Sequence, residues 1–221
     1  MRDEAGPSRH LYSFILHPSS LLTQCVPAFQ IVYSSEFPPN QIISLQGEIC
    51  VMELTELFLD QLEAEAERTR RMLEKVPEGK DDWKPHDKSM ALGHLTMLVA
   101  RLPSWIAMII NKDELDLRPA DGSSNIDTRP LRNSRELIAA MDEGVSQSRE
   151  ALKNTNADLL MKPWRLLVSG NVVSEELRYR VIRDTFSHLA HHRAQLGIYL
   201  RMNDLPVPAV YGPSADDQSF A

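Results

Sequence analysis

Cysteine is nearly absent: Cys25 and Cys50 are the only two in 221 residues. They form no C-x-x-C pair, so neither a disulfide framework nor dithiol redox chemistry is indicated. Positive charge is also short, with 24 Lys and Arg against 31 Asp and Glu and a formal net charge of -7. That balance removes the general electrostatic drive towards nucleic acid or an anionic membrane, and neither partner is expected. No apolar run approaches the ~18 residues that span a bilayer, because charge or proline interrupts each one. A Gly-rich phosphate loop, a Walker sequence and a G-x-S-x-G elbow are all missing, so nucleotide-dependent chemistry has no visible basis. No repeat occurs at the solenoid periods. What remains is the profile of one globular domain, or one domain with a tail.

Composition changes abruptly near Met52. Residues 1–51 carry six charged side chains and five prolines, whereas residues 52–221 carry 49 charges and read as long helical patterns. A secretory signal is a poor reading of the first segment, since Asp3 and Glu4 oppose a basic start and His17-Pro18 breaks the apolar run Phe14 to Leu16. A cytoplasmic location is expected. Residues 1–51 are expected to be a poorly structured extension or a stretch upstream of a true start at Met52, and residues 52–221 the folded body.

Four helices are expected in that body. Leu54, Leu57, Phe58, Leu62, Ala66, Thr69, Met72 and Leu73 recur at spacings of three and four up to Val76-Pro77. Ser89 is placed to cap a second helix from Met90 to about Ile110, with Pro103 bending it. Residues 111–132, with Pro119, Gly122 and Pro130, form a long connection. The capping box Asn133 to Glu136 opens a third helix through Leu137, Met141, Val145 and Leu152. Trp164 to Val173 suggests an extended crossover or small hairpin, and Ser174-Glu175-Glu176 caps a fourth helix running to about Asn203. Prolines 206, 208 and 213 keep the C-terminal tail extended and packed on the body. The expected fold is all-α, a four-helix bundle with long connections.

The chemistry-bearing residues cluster on the last helix, in Phe186-Ser187-His188-Leu189-Ala190-His191-His192-Arg193-Ala194-Gln195. At ~100° per residue, His192 falls about 40° from His188, within the arc of Val181, Tyr199 and Leu196. His191 and Asp184 fall at the rim, and Arg193 faces away, towards a structural ion pair. Two inward imidazoles at i and i+4 can share one divalent ion through nitrogen. On spacing alone the alternative stays open, that both rings are half exposed or paired with polar groups of other helices. Leu189 follows His188, so H-E-x-x-H and its zinc-peptidase chemistry are not met. Gln195 and Asp184 are the candidates for orienting a ligand histidine. Trp83, Trp105 and Trp164 either line a pocket or belong to the core.

These residues also carry a resemblance. Trp83-Lys84-Pro85-His86-Asp87-Lys88-Ser89-Met90, Leu102-Pro103-Ser104-Trp105, the H-x-x-H-H-R-x-Q run from His188 to Gln195, and Tyr199-Leu200-Arg201 with Pro206-Val207-Pro208 and Tyr211-Gly212-Pro213-Ser214 resemble the DinB-like family over Met52 to about Asp217. The resemblance implies a four-helix bundle, commonly a homodimer, that holds Zn²⁺ or Ni²⁺ with three histidines, two of them matching His188 and His192. It also implies a thiol-dependent S-transferase or isomerase using a low-molecular-weight thiol. The family's remaining histidine would fall at Leu98, and leucine cannot coordinate a metal. His94, one turn earlier on nearly the same face, becomes the third candidate ligand if the helix or the ion shifts by about 5 Å, one helix pitch. Leu98 favours a different class of function, a metal-free dimeric binding or stress-response protein of the same fold. A DNA-binding regulator is disfavoured by the acidic balance.

Overall fold

The computed structural model describes residues 25–31, 44–50, 52–120, 122 and 129–219. The chain divides into two compact units, Met1–Met52 and Glu53–Ala221. In the first, β1 (Cys25–Ile31) and β2 (Ser44–Cys50) pair antiparallel, with Cys25 opposite Cys50 at one end of the ladder and Ile31 opposite Ser44 at the other. The expectation for the remainder of residues 1–51 falls outside the described residues.

The second unit opens with α1 (Leu54–Leu73). The expected second helix is two: α2 (Leu92–Arg101) and α3 (Ser104–Asn111), bent by 53° about Leu102-Pro103. Proline removes one amide donor, but a side chain from elsewhere completes the break. Ser148 Oγ donates to the Pro103 carbonyl at 2.6 Å and accepts from the Ala107 amide at 3.0 Å, inserting itself where an i to i-4 bond would otherwise run. Ser148 reaches that far because its own helix passes α3 at close range. A Cβ added to Gly144 would lie 3.0 Å from both the Cβ and the amide nitrogen of Ser104.

That passing helix is α4 (Ser134–Lys153), capped as its sequence predicts: the Asn133 side chain accepts from the Glu136 amide at 3.0 Å. Glu136 in turn accepts from the amide of Arg132 at 2.8 Å. The single turn α5 (Ala157–Leu160) and the long α6 (Arg178–Met202) complete the helices. Helix α4 packs on α1, α2 and α3, and α6 packs on the same three. The apolar core between them holds Phe58, Leu62, Leu95, Val99, Ile106, Leu137, Met141, Leu189 and Leu196. Among the described residues no single helix is long and apolar enough to cross a membrane.

The all-α expectation needs correction. A three-stranded sheet is present, with β3 (Glu114–Asp116) parallel to the central β4 (Pro163–Val168), and β5 (Asn171–Leu177) antiparallel to it. Ser169 (φ 53°) and Gly170 (φ 77°) both take the left-handed conformation that a two-residue hairpin requires. The Asp116 carboxylate holds that turn, accepting from the amides of Ser169 at 3.0 Å and Gly170 at 2.7 Å. Ser174, Glu175 and Glu176 therefore belong to a strand, and the last helix begins at Arg178. The guanidinium of Arg178, 2% exposed, fixes this start by donating to the carbonyls of Ile109, Lys112 and Pro163 and pairing with Asp113.

After α6 the tail packs back on the body without regular structure, burying Ala209 completely. It is tied by the Arg201–Asp216 ion pair at 2.5 Å, by the Val207 amide on Asp216 at 2.9 Å, and by the Ala209 amide on Asp217 at 3.0 Å.

Candidate functional site

Helix α6 presents different chemistry on opposite sides. Its period sends Arg193 towards α1, where the guanidinium and the Glu65 carboxylate pair at 2.5 Å with side chains 2% and 3% exposed. Arg193 also donates to Thr69 Oγ1 at 3.0 Å, and the Tyr211 hydroxyl of the tail joins both members of the pair. This is the structural ion pair that the helical angle of Arg193 predicts. Its partner is less visible in the sequence, yet Glu65 leaves a signal: it stands three residues after Leu62 and four before Thr69, inside the apolar stripe of α1. An acid in a stripe calls for a buried cation.

The preceding residue faces the other way. His192, 9% exposed, and half-buried His188 bring their Nε2 atoms to 2.8 Å, with ring centroids 4.6 Å apart. Trp105 of α3 meets His188 edge-on at 5.6 Å between centroids, so the break at Pro103 helps to aim the indole at the imidazole pair. The Gln195 amide spans the two neighbouring rings, with Oε1 2.9 Å from His192 Nδ1 and Nε2 3.0 Å from His191 Nε2. His191 itself is exposed. Burial, and after it the charges that His192 and His191 can carry, lowers the pKa of His188 below its ordinary value. The ring is thereby biased towards the neutral form that can lend a lone pair.

The other sequence-predicted residues lie elsewhere. His94 is on the exposed side of α2, and Leu98 is half-buried against the core. Among the described residues no three His, Cys, Asp or Glu side chains converge as a metal would require, so His94 is not brought to the pair. Asp184 is exposed and bonds Arg183, leaving Gln195 as the residue that orients a histidine. Trp164 is buried in the core, and Trp83 packs edge-on against Tyr199 at 5.4 Å.

The donor set fits a divalent ion in two positions. Two nitrogens about 2.0 Å from a tetrahedral ion sit ~3.3 Å apart, so to serve as two ligands the rings would part by about half an ångström and each would turn by roughly 35°, aiming both lone pairs at the ion and no longer at each other. Leucine has no donor atom, so Leu98 supplies no ligand, and the remaining positions would fall to solvent or to a small-molecule ligand.

No family model matches this sequence, and no curated protein matches it. Solved structures do. A DinB-like protein from Bacillus cereus aligns with a TM-score of 0.54 and 18% identity over 70% of this chain and 95% of its own. A DinB-like protein from Bacillus subtilis aligns with a TM-score of 0.50 and 15% identity over 67% and 92%. A DinB family protein from Exiguobacterium sibiricum gives 0.51 and 16% over 70% and 94%. The chain has the DinB-like fold. At these identities the likeness is one of architecture, and the chemistry rests on this chain's own residues. In this DinB-like fold the imidazole pair and its Gln195 brace come from one helix, and Trp105 is contributed from α3.

Proposed function

We propose that this protein binds a divalent metal, Zn²⁺ or Ni²⁺, through Nε2 of His188 and His192, and serves as a thiol-dependent S-transferase on a small molecule. The observation carrying the reading is the approach of those two nitrogens to 2.8 Å on a half-buried helix face. Neutral imidazoles suit either ion. When bound, such an ion lowers the pKa of a thiol or water and supplies a nucleophile at neutral pH. The protein's own residues do the rest. Trp105 walls the pair on one side, Gln195 holds His192, and the absence of cysteine from residues 53–221 assigns the thiol to a low-molecular-weight cofactor. The long segments α1, α2 with α3, α4 and α6 support a four-helix bundle around this pair. A homodimer would cover Ile198 and Met202, which are 61% and 54% exposed on α6.

Metal analysis of untagged protein tests the reading. Stoichiometric zinc or nickel is expected in the unmutated protein and its loss in His188→Ala; a metal-free unmutated protein after purification in zinc- and nickel-supplemented buffer overturns it. One observation favours a second reading, a metal-free binding protein: the two rings satisfy one another, and the position where the family resemblance expects a third histidine is the half-buried Leu98. In that case added zinc and a chelator leave the melting temperature unchanged.

A further inference from the structure

We propose that Gln195 is a positioning residue which, oriented by His191, holds His192 with its proton on Nδ1 and its Nε2 unprotonated, as an acceptor. The inference deepens the metal-binding reading, but its first test does not depend on it. An amide oxygen only accepts a hydrogen bond and an amide nitrogen only donates. Gln195 Nε2 at 3.0 Å from His191 Nε2 makes that ring nitrogen the acceptor, so neutral His191 carries its proton on Nδ1. The same amide then turns Oε1 to His192 Nδ1 at 2.9 Å, and Oε1 can only receive a proton there. His192 Nδ1 is the donor, and a neutral ring with its proton on Nδ1 has a bare Nε2. That nitrogen lies 2.8 Å from His188 Nε2, so in the metal-free protein His188 donates to His192. The bonds run in one direction, from His188 to His192 to Gln195 to His191.

The order has a chemical consequence. A ligand imidazole binds an ion through the nitrogen that lacks the proton, and a partner on the other nitrogen decides which one that is. His192 is prepared before any ion arrives, and only His188 must move its proton to Nδ1 to offer a second lone pair. His191, exposed and outside the arc of the pair, acts by giving the amide its orientation. Without it the Gln195 amide can reverse, place its NH₂ against His192 Nδ1 and draw the His192 proton to Nε2.

Two measurements on the full chain decide this. Nitrogen chemical shifts of histidine-labelled, metal-free protein should show His192 protonated on Nδ1 in the unmutated protein and in Gln195→Glu, whose carboxylate still accepts. A mixture of tautomers is expected in Gln195→Leu and in His191→Ala. Competition with a chromophoric chelator for Zn²⁺ should then show Gln195→Leu weakened by about 10- to 100-fold and Gln195→Glu restored to within a few-fold. A proton on His192 Nε2 in the unmutated protein, or an unchanged tautomer in Gln195→Leu, overturns the inference. A protein that takes up no Zn²⁺ yet shows the Nδ1 tautomer and its loss in Gln195→Leu upholds Gln195 and defeats the metal-binding reading alone.

Discussion

His188 ties stability to acidity at the scale of one residue. Its pKa is lowered in the folded protein, chiefly by burial, so the native state binds less proton there than the unfolded chain does. The stability gained from keeping the ring neutral is fully present above the ordinary value of 6.5 and is lost as the pH falls through the lowered folded value. Urea unfolding of the metal-free protein between about pH 7 and 5 is expected to show falling stability, with a shallower slope in His188→Leu. Equal slopes in the two proteins would remove His188 as the cause. Arg193, one position beyond His192, carries a larger structural load. Arg193→Met takes its buried cation from the Glu65 carboxylate, leaving it Arg68 at 2.9 Å, Gln61 and Tyr211, and should cost up to about 3–5 kcal/mol, whereas converting both Arg193 and Glu65 to apolar residues should cost less. Denaturant midpoints of the single and double variants give the comparison.

Among the elements, the α3–α4 crossing and the β4–β5 hairpin show where local signals stop. Ser148→Ala leaves the Ala107 amide and the Pro103 carbonyl without their shared partner and should destabilise the protein by about 1–3 kcal/mol, read from thermal or urea unfolding. Asn133 was legible as a cap because its bond is to Glu136, three residues away, and the sequence window contains both partners. Proline at 103 was legible as a bend. Its resolution into two helices was not, because the side chain that enters the break comes from residue 148. Ser174-Glu175-Glu176 has the local grammar of a helix start, yet pairing with Pro163–Val168 keeps it extended and moves the start to Arg178. In that contest the long-range ladder overrides local preference. The shared face of His188 and His192 was legible from the period because both rings sit on one helix, while spacing left open what they pair with, and a third donor would have to come from another helix at a distance that spacing does not encode.

Across the whole second unit, the tail closes over the body through Leu205, Val207, Ala209 and Val210 together with a few polar contacts. Tyr211 is 62% exposed, yet its hydroxyl lies 3.1 Å from Glu65 Oε2 and 2.5 Å from Arg193 Nη2. Burial, with the Arg193 charge opposing it, raises the Tyr211 pKa and keeps the hydroxyl able to donate across the neutral range. Tyr211→Phe removes a hydrogen bond to a charged group and should lower stability by about 1.5–3 kcal/mol, a melting-point drop of several degrees for a domain of this size. A calorimetric scan of the variant gives the value. The same residues bear on the imidazoles, because Arg193 follows His192 directly and is gripped from the opposite flank of α6. Rotation of α6 about its long axis would disturb both the Arg193–Glu65 pair and the contact of His188 with Trp105. Through Tyr211 the last stretch of chain thus acts as a keel for α6, steadying the guanidinium that follows His192 directly in sequence.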